Sequence, residues 1–181
     1  MASNEVQLGG GYASGMFYTA PANTALPTYP GDDLTAWTEV GDIDADGITF
    51  TPRDSDTLKN WAGQPKRVIP GADPATVSAK IMDTTKTVLE TLFGENNVSY
   101  TAASSAHGNI TSVTLSPDVS ADPAAYLFLV KDGDTLVSIG CEDGLITDIA
   151  DVSFNPTTAV TWAPSIDGVW TISHDDGETT S

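Results

Sequence analysis

One cysteine, two histidines and seven basic residues are the scarcities that bound this 181-residue chain. The lone Cys141 excludes an intramolecular disulfide and any cysteine-built zinc or iron–sulfur site, which leaves packing as its use. Seven Lys and Arg face 25 Asp and Glu, for a formal net charge of −18. Such a surface repels phosphate backbones and anionic lipid headgroups, so wrapping of nucleic acid and binding to a membrane surface are excluded. The same acidity keeps a protein soluble at high concentration. No window reaches the roughly 18 consecutive apolar residues of a membrane span. The start of the chain also lacks a basic stretch followed by an apolar one, so the expectation is a protein made and kept in a cytoplasm. No glycine-rich loop ends in Lys-Ser or Lys-Thr; Gly9-Gly-Gly11 leads into strand-like sequence, and no nucleotide or other cofactor is expected.

Hydrophobic residues make up 40% of the chain and aromatics 8%, enough for an ordinary folded core. No linker divides it, so residues 1–181 are expected to form one domain. Five Asp-Gly dipeptides, beginning at Asp46, Asp132, Asp143, Asp167 and Asp176, predict hairpins and turns. Runs over 48–50, 77–81, 109–115, 126–130, 135–139 and 169–172 predict strands, and the clearest hairpin joins Tyr126 to Ile139 through Lys131-Asp-Gly-Asp134. From Asp83 to Phe93 the spacing of Val88, Leu89, Leu92 and Phe93 instead predicts one short amphipathic helix. Asp83 or Thr84 would cap its start and Gly94 its end. Residues 21–35, with three prolines, predict a long extended loop that touches something beyond itself. Residues 1–11 read as an N-terminal arm and 174–181 as a polar, acidic tail.

The sharpest motif is Asp42-Ile-Asp44-Ala-Asp46-Gly47, which matches the first half of an EF-hand calcium loop. The position that should carry the closing bidentate Glu is Arg53, and strand-like rather than helical sequence follows the loop. A solvated acidic turn with no metal is therefore expected. His107 lies in a Ser-rich loop and His174 in the tail, and neither accompanies a nucleophile elbow, so no catalytic residue is assigned. With 25 acids, pairs of carboxylates are too common to single one out for glycoside hydrolysis. Trp37, Trp61, Trp162 and Trp170 suit core or subunit-interface packing, with stacking on sugar rings as the competing use.

Five segments in succession carry a family resemblance. They are Gly15-Met-Phe-Tyr-Thr-Ala-Pro21, the run from Trp37 to Pro52, Lys59-Asn-Trp-Ala-Gly-Gln-Pro-Lys-Arg67, the strand and helix from Ala75 to Gly94, and Asp148-Ile-Ala-Asp-Val-Ser-Phe154 with the strands after it. Together they resemble the major tail tube proteins of long, non-contractile-tailed bacteriophages. The resemblance implies a mainly β fold, a β-sandwich or partial barrel flanked by one helix. It also implies a structural virion protein of the tail, assembled in the bacterial cytoplasm as stacked, hexameric rings through which genomic DNA passes without specific binding. Its implied partners are further copies of itself and other tail proteins such as the tape measure, tail terminator and distal tail proteins, with no membrane. Which acids would line the lumen is not legible. A carbohydrate-binding or adhesin-like β-sandwich, using exposed tryptophans, is the alternative from another class.

Overall fold

The apolar run from Ala124 to Val130 is buried along nearly its whole length, as expected of a strand covered on both faces. Around it the chain folds into a sheet that curls back on itself. The structure, a computed structural model, describes residues 10–11, 17–52, 55–70, 74–116, 119–132, 135–154, 157 and 160–176. In chain order the strands are β1 (Gly10–Gly11), β2 (Phe17–Pro21), β3 (Thr38–Gly41), β4 (Ile43–Thr51), β5 (Ser55–Lys59), β6 (Pro65–Pro70) and β7 (Ala75–Ile81). After the helix α1 (Lys86–Phe93) come β8 (Val98–Thr101), β9 (Ile110–Val113), β10 (Ala124–Asp132), β11 (Thr135–Ile149), β12 (Pro164–Gly168) and β13 (Thr171–Asp175).

The main sheet is antiparallel and runs β3-β2-β10-β11-β12-β7-β4, with β1 added to β10 and β13 to β11. Strands β3 and β4 stand at opposite ends of that order, yet only Asp42 separates them in the chain. One continuous run, Thr38 to Thr51, therefore pairs with β2 through its first part and with β7 through its second, and the sheet closes into a partial barrel. The expected β-rich fold with a single flanking helix is what forms.

Side-chain alternation sorts the core into two clusters. Phe17, Tyr126 and Phe128 face inward with Val77, Ile81, Ile146 and Ile166, and the rings of Phe17 and Phe128 stack at 4.6 Å. The intervening residues Tyr18, Ala20, Ala125, Leu127 and Leu129 face the other way. That second face is covered by the loop that follows β2, through Leu26, Leu34 and the buried Trp37. The proline-rich 21–35 segment thus touches its own sheet.

The helix is too short to hold itself together in water, since isolated helices of fewer than about 12 residues are marginal. Packing holds it: Val88 and Leu92 enter the inner cluster, and Phe93 meets Trp162 edge to face at 5.7 Å. Its start lies later than the sequence suggests. Thr85 is the N-cap, its side chain accepting from the Val88 N–H at 3.2 Å, while Asp83 and Thr84 serve other partners. Gly94 ends the helix as expected, its N–H donating to the Glu90 carbonyl.

Several turn signals lie inside strands instead. Asp132 pairs with Thr135 in the β10–β11 hairpin, as predicted, but Asp46-Gly47, Asp143-Gly144 and Asp167-Gly168 sit within β4, β11 and β12. Gly47 takes a φ of 74° where the β4–β7 register shifts between Ile43 and Ile48, whereas at Gly144 and Gly168 the reason is close approach across the sheet. A Cβ on Gly168 would fall 2.4 Å from the Cys141 sulfur, and one on Gly144 would fall 2.9 Å from the Tyr126 ring. Asp176-Gly177 extends outside the described residues, as do residues 1–9 of the expected arm and 177–181 of the expected tail. The described parts of both ends are strand: Gly10 pairs with Lys131, and His174 with Val137.

Candidate assembly surfaces

The three carboxylates of the calcium-like motif follow the closing run of the sheet and do not wrap around a common point. The backbone of Asp42 is tied to the next segment, its N–H donating to Asp83 Oδ2 at 3.0 Å and its carbonyl accepting from the Met82 N–H at 3.1 Å. Asp44 lies in β4, and Asp46 forms an ion pair with Lys80 on neighbouring β7, which holds the Lys80 ammonium above its usual pKa. Among the described residues no group of three or more His, Cys, Asp or Glu side chains is gathered as metal ligands would be.

Both histidines are exposed. His107 Nδ1 lies 2.7 Å from the Gly108 carbonyl in the loop of the separate two-stranded sheet β8–β9, and His174 is on β13 of the main sheet. Cys141 is fully buried, and burial pushes its thiol pKa up, which suits a packing residue.

The tryptophans divide three to one. Trp37 is buried, Trp162 donates from Nε1 to Thr84 Oγ1 at 3.0 Å, and Trp170 donates to the Ala75 carbonyl at 3.1 Å. Trp61 alone stands fully in water, at 107% relative exposure. It occupies the tip of the β5–β6 hairpin, a two-stranded sheet separate from the main one. The tip is well made: Asn60 and Gln64 bond through backbone and side chains, and Gly63 takes a φ of 76° that closes the turn. In the sequence the Lys59–Arg67 segment stands out only as part of the family resemblance; that it forms a hairpin apart from the main sheet is not legible there.

A second surface lies beside the C-terminal end of α1. Here a cavity of about 270 Å³ is lined by Glu90, Glu95, Asp122, Thr91 and Tyr126 among others. Tyr126 is fully buried and its hydroxyl has no hydrogen-bond partner. Burial, with smaller contributions from Cys141 and Asp122, raises its pKa well above the usual phenol value, so the group is a neutral donor and acceptor. The sequence predicts Tyr126 in a strand, and it lies in β10; that its hydroxyl faces no partner depends on what the fold brings around it.

The carboxylates whose burial is described are all at least partly exposed. The acidity is therefore a surface property. No helix among the described residues is long and apolar enough to cross a membrane.

Residues 1–162 match a family model described as phage tail tube protein. The chain belongs to that family. As a tail tube protein it is a structural component of the virion tail. No curated protein sequence matches the chain. Among solved structures it is similar to the cryo-EM structure of the anti-feeding prophage cap (AFP tube terminating cap). That likeness covers 97% of this tail tube protein and 100% of the other chain, at 13% identity and a TM-score of 0.41.

Proposed function

We propose that this tail tube protein self-assembles into hexameric rings, and that the rings stack into the tube of a long, non-contractile tail through which the genome enters the host. The observation that carries the reading is the family match over residues 1–162. Two structural features support it. Strand β13 pairs on one side with β11 and carries the exposed Ile172, an edge of the kind that ring closure would protect. The −18 charge of the chain gives six copies −108 formal charges. Any share of these facing a lumen repels duplex DNA over about 8 Å at physiological salt, so DNA slides and is not held. The protein's role is architectural, with no catalytic step and no cofactor. Its partners are its own copies, and at the ends and inside of the tube the terminator, distal tail and tape measure proteins. Assembly takes place in the host cytoplasm.

The test is negative-stain imaging of the purified chain across a concentration and salt series. Rings or stacked tubes at high concentration are expected, and a strictly monomeric species under every condition would overturn the reading.

A further inference from the structure

The few positive charges of the chain are not spread evenly. Residues 55–70, the β5–β6 hairpin, hold Lys59, Lys66 and Arg67 against the single acid Asp56, a net charge of +2. The remaining residues hold 4 bases and 24 acids, a net charge of −20, and the two parts sum to the chain's −18. A basic arm with a fully exposed indole at its tip thus stands on an acidic body. Tryptophan is among the residues most enriched at buried interface anchors, and an indole left in water gives up that area to no contact.

We propose that the hairpin of one copy inserts its Trp61 tip into the acidic cavity beside Tyr126 of a second copy. The inference rests on the self-assembly reading above and names the contact that would drive it. Three features of the cavity match the arm. Glu95 and Asp122 supply charge opposite to that of the hairpin, Glu90 being paired with Lys86. Its volume of about 270 Å³ leaves room for one indole. Tyr126 lines the cavity, and its hydroxyl, closed to water in the single chain, lacks a partner; a small shift of the lining would let it accept the indole N–H or donate to a carbonyl of the hairpin tip.

A metal ion is a poorer occupant. The cavity's acids are not gathered as ligands among the described residues, and Glu90 already pairs with Lys86 at 2.9 Å. A spread, polyatomic cationic segment meets them better. The cavity near Leu26 also has two acids, Glu142 and Asp143, but the described residues show no unpartnered buried polar atom there. Because Trp61 is exposed in its own chain, the tip that fills the cavity comes from another copy. Arm and cavity are different surfaces, so the contact is head-to-tail, and each copy that receives an arm still offers one. Such contacts propagate into rings or filaments.

The test uses the full chain. The double variant Trp61→Cys/Glu95→Cys, treated with a short thiol cross-linker, should give a ladder of linked multimers, and each single variant should not. Buried Cys141 stays silent. Trp61→Ala should raise the concentration needed for assembly at least tenfold while leaving the melting temperature unchanged, since the side chain touches water alone. Glu95→Lys should do the same, and wild-type tryptophan emission should shift to the blue on assembly. If tubes form and the ladder is absent, or if Trp61→Ala assembles at the wild-type concentration, the docking is overturned and the tube reading stands. A wild-type chain that stays monomeric, with no ladder at the same concentrations, overturns both.

Discussion

Asp83 Oδ2 accepts the backbone N–H of Asp42 at 3.0 Å, and Asp42 is the residue at which the sheet turns from its β2 edge to its β7 edge. The same oxygen lies where a Cβ on Gly41 would intrude, 2.8 Å from it, so the corner has been fitted around this carboxylate. A bond from a backbone N–H to an ionised carboxylate contributes ~1.5–3 kcal/mol in protected settings and less where water competes, as it does at exposed Asp42. Asp83→Ala should therefore lower stability by about 1 kcal/mol in denaturant melts, with Asp83→Asn intermediate. Gly41→Ala should cost at least as much. An Asp83→Ala chain as stable as wild type would show that the corner is held by β4–β7 pairing alone.

Gly168 and Cys141 form the tightest meeting across β11 and β12. Adding a methyl group at Gly168 overlaps the sulfur, and overpacking of this kind costs ~1–3 kcal/mol. Cys141→Ala removes the obstruction, so the double variant Gly168→Ala/Cys141→Ala should be more stable than the two single losses would add up to. Additive losses would mean that the strain lies in the backbone of β12. Native Cys141 should resist alkylation until the chain is unfolded, since the thiol is buried and its pKa raised.

Tyr126→Phe removes a hydroxyl that has no partner in the isolated chain, and should leave its stability equal or raise it by about 1 kcal/mol. The pH dependence follows from the sign of the phenol shift. Burial keeps Tyr126 neutral in the folded chain at pH values where the unfolded chain ionises it, from about pH 10 upward. The stabilisation is thus whole below that point and is lost as pH rises past it. The loss should be shallower in Tyr126→Phe, as measured by melts at pH 8 to 11. Identical profiles would show that Tyr126 ionises equally in both states.

Titration calorimetry with calcium should show only weak, salt-sensitive heats. Asp46 is engaged by Lys80 and the Asp42 backbone by Asp83 and Met82, and the twelfth residue of the motif in sequence is Arg53 in place of a closing carboxylate. A micromolar Kd abolished by Asp44→Ala would show that these acids do converge on an ion.

The sequence alone determined the elements whose cause is local. The 3.6-residue spacing of Val88, Leu89, Leu92 and Phe93 allows only a helix with one buried face, and the run from Tyr126 to Ile139 around Asp132-Gly133 specifies a hairpin. Charge is a sum over residues and needs no fold. Tertiary structure decided whatever depends on residues far apart in the chain. An Asp-Gly pair favours a turn wherever it occurs, but at Asp143 and Asp167 the glycines are required by Tyr126 and Cys141, which press on them from neighbouring strands. Thr85 caps the helix because Asp83 and Thr84 are taken by Asp42 and Trp162, partners 41 and 78 residues away. The four tryptophans are chemically alike in the sequence. Three are enclosed by distant segments and Trp61 is not, and its exposure, like the unpartnered hydroxyl of Tyr126, is set by which surfaces the closed sheet brings together and which it leaves in water.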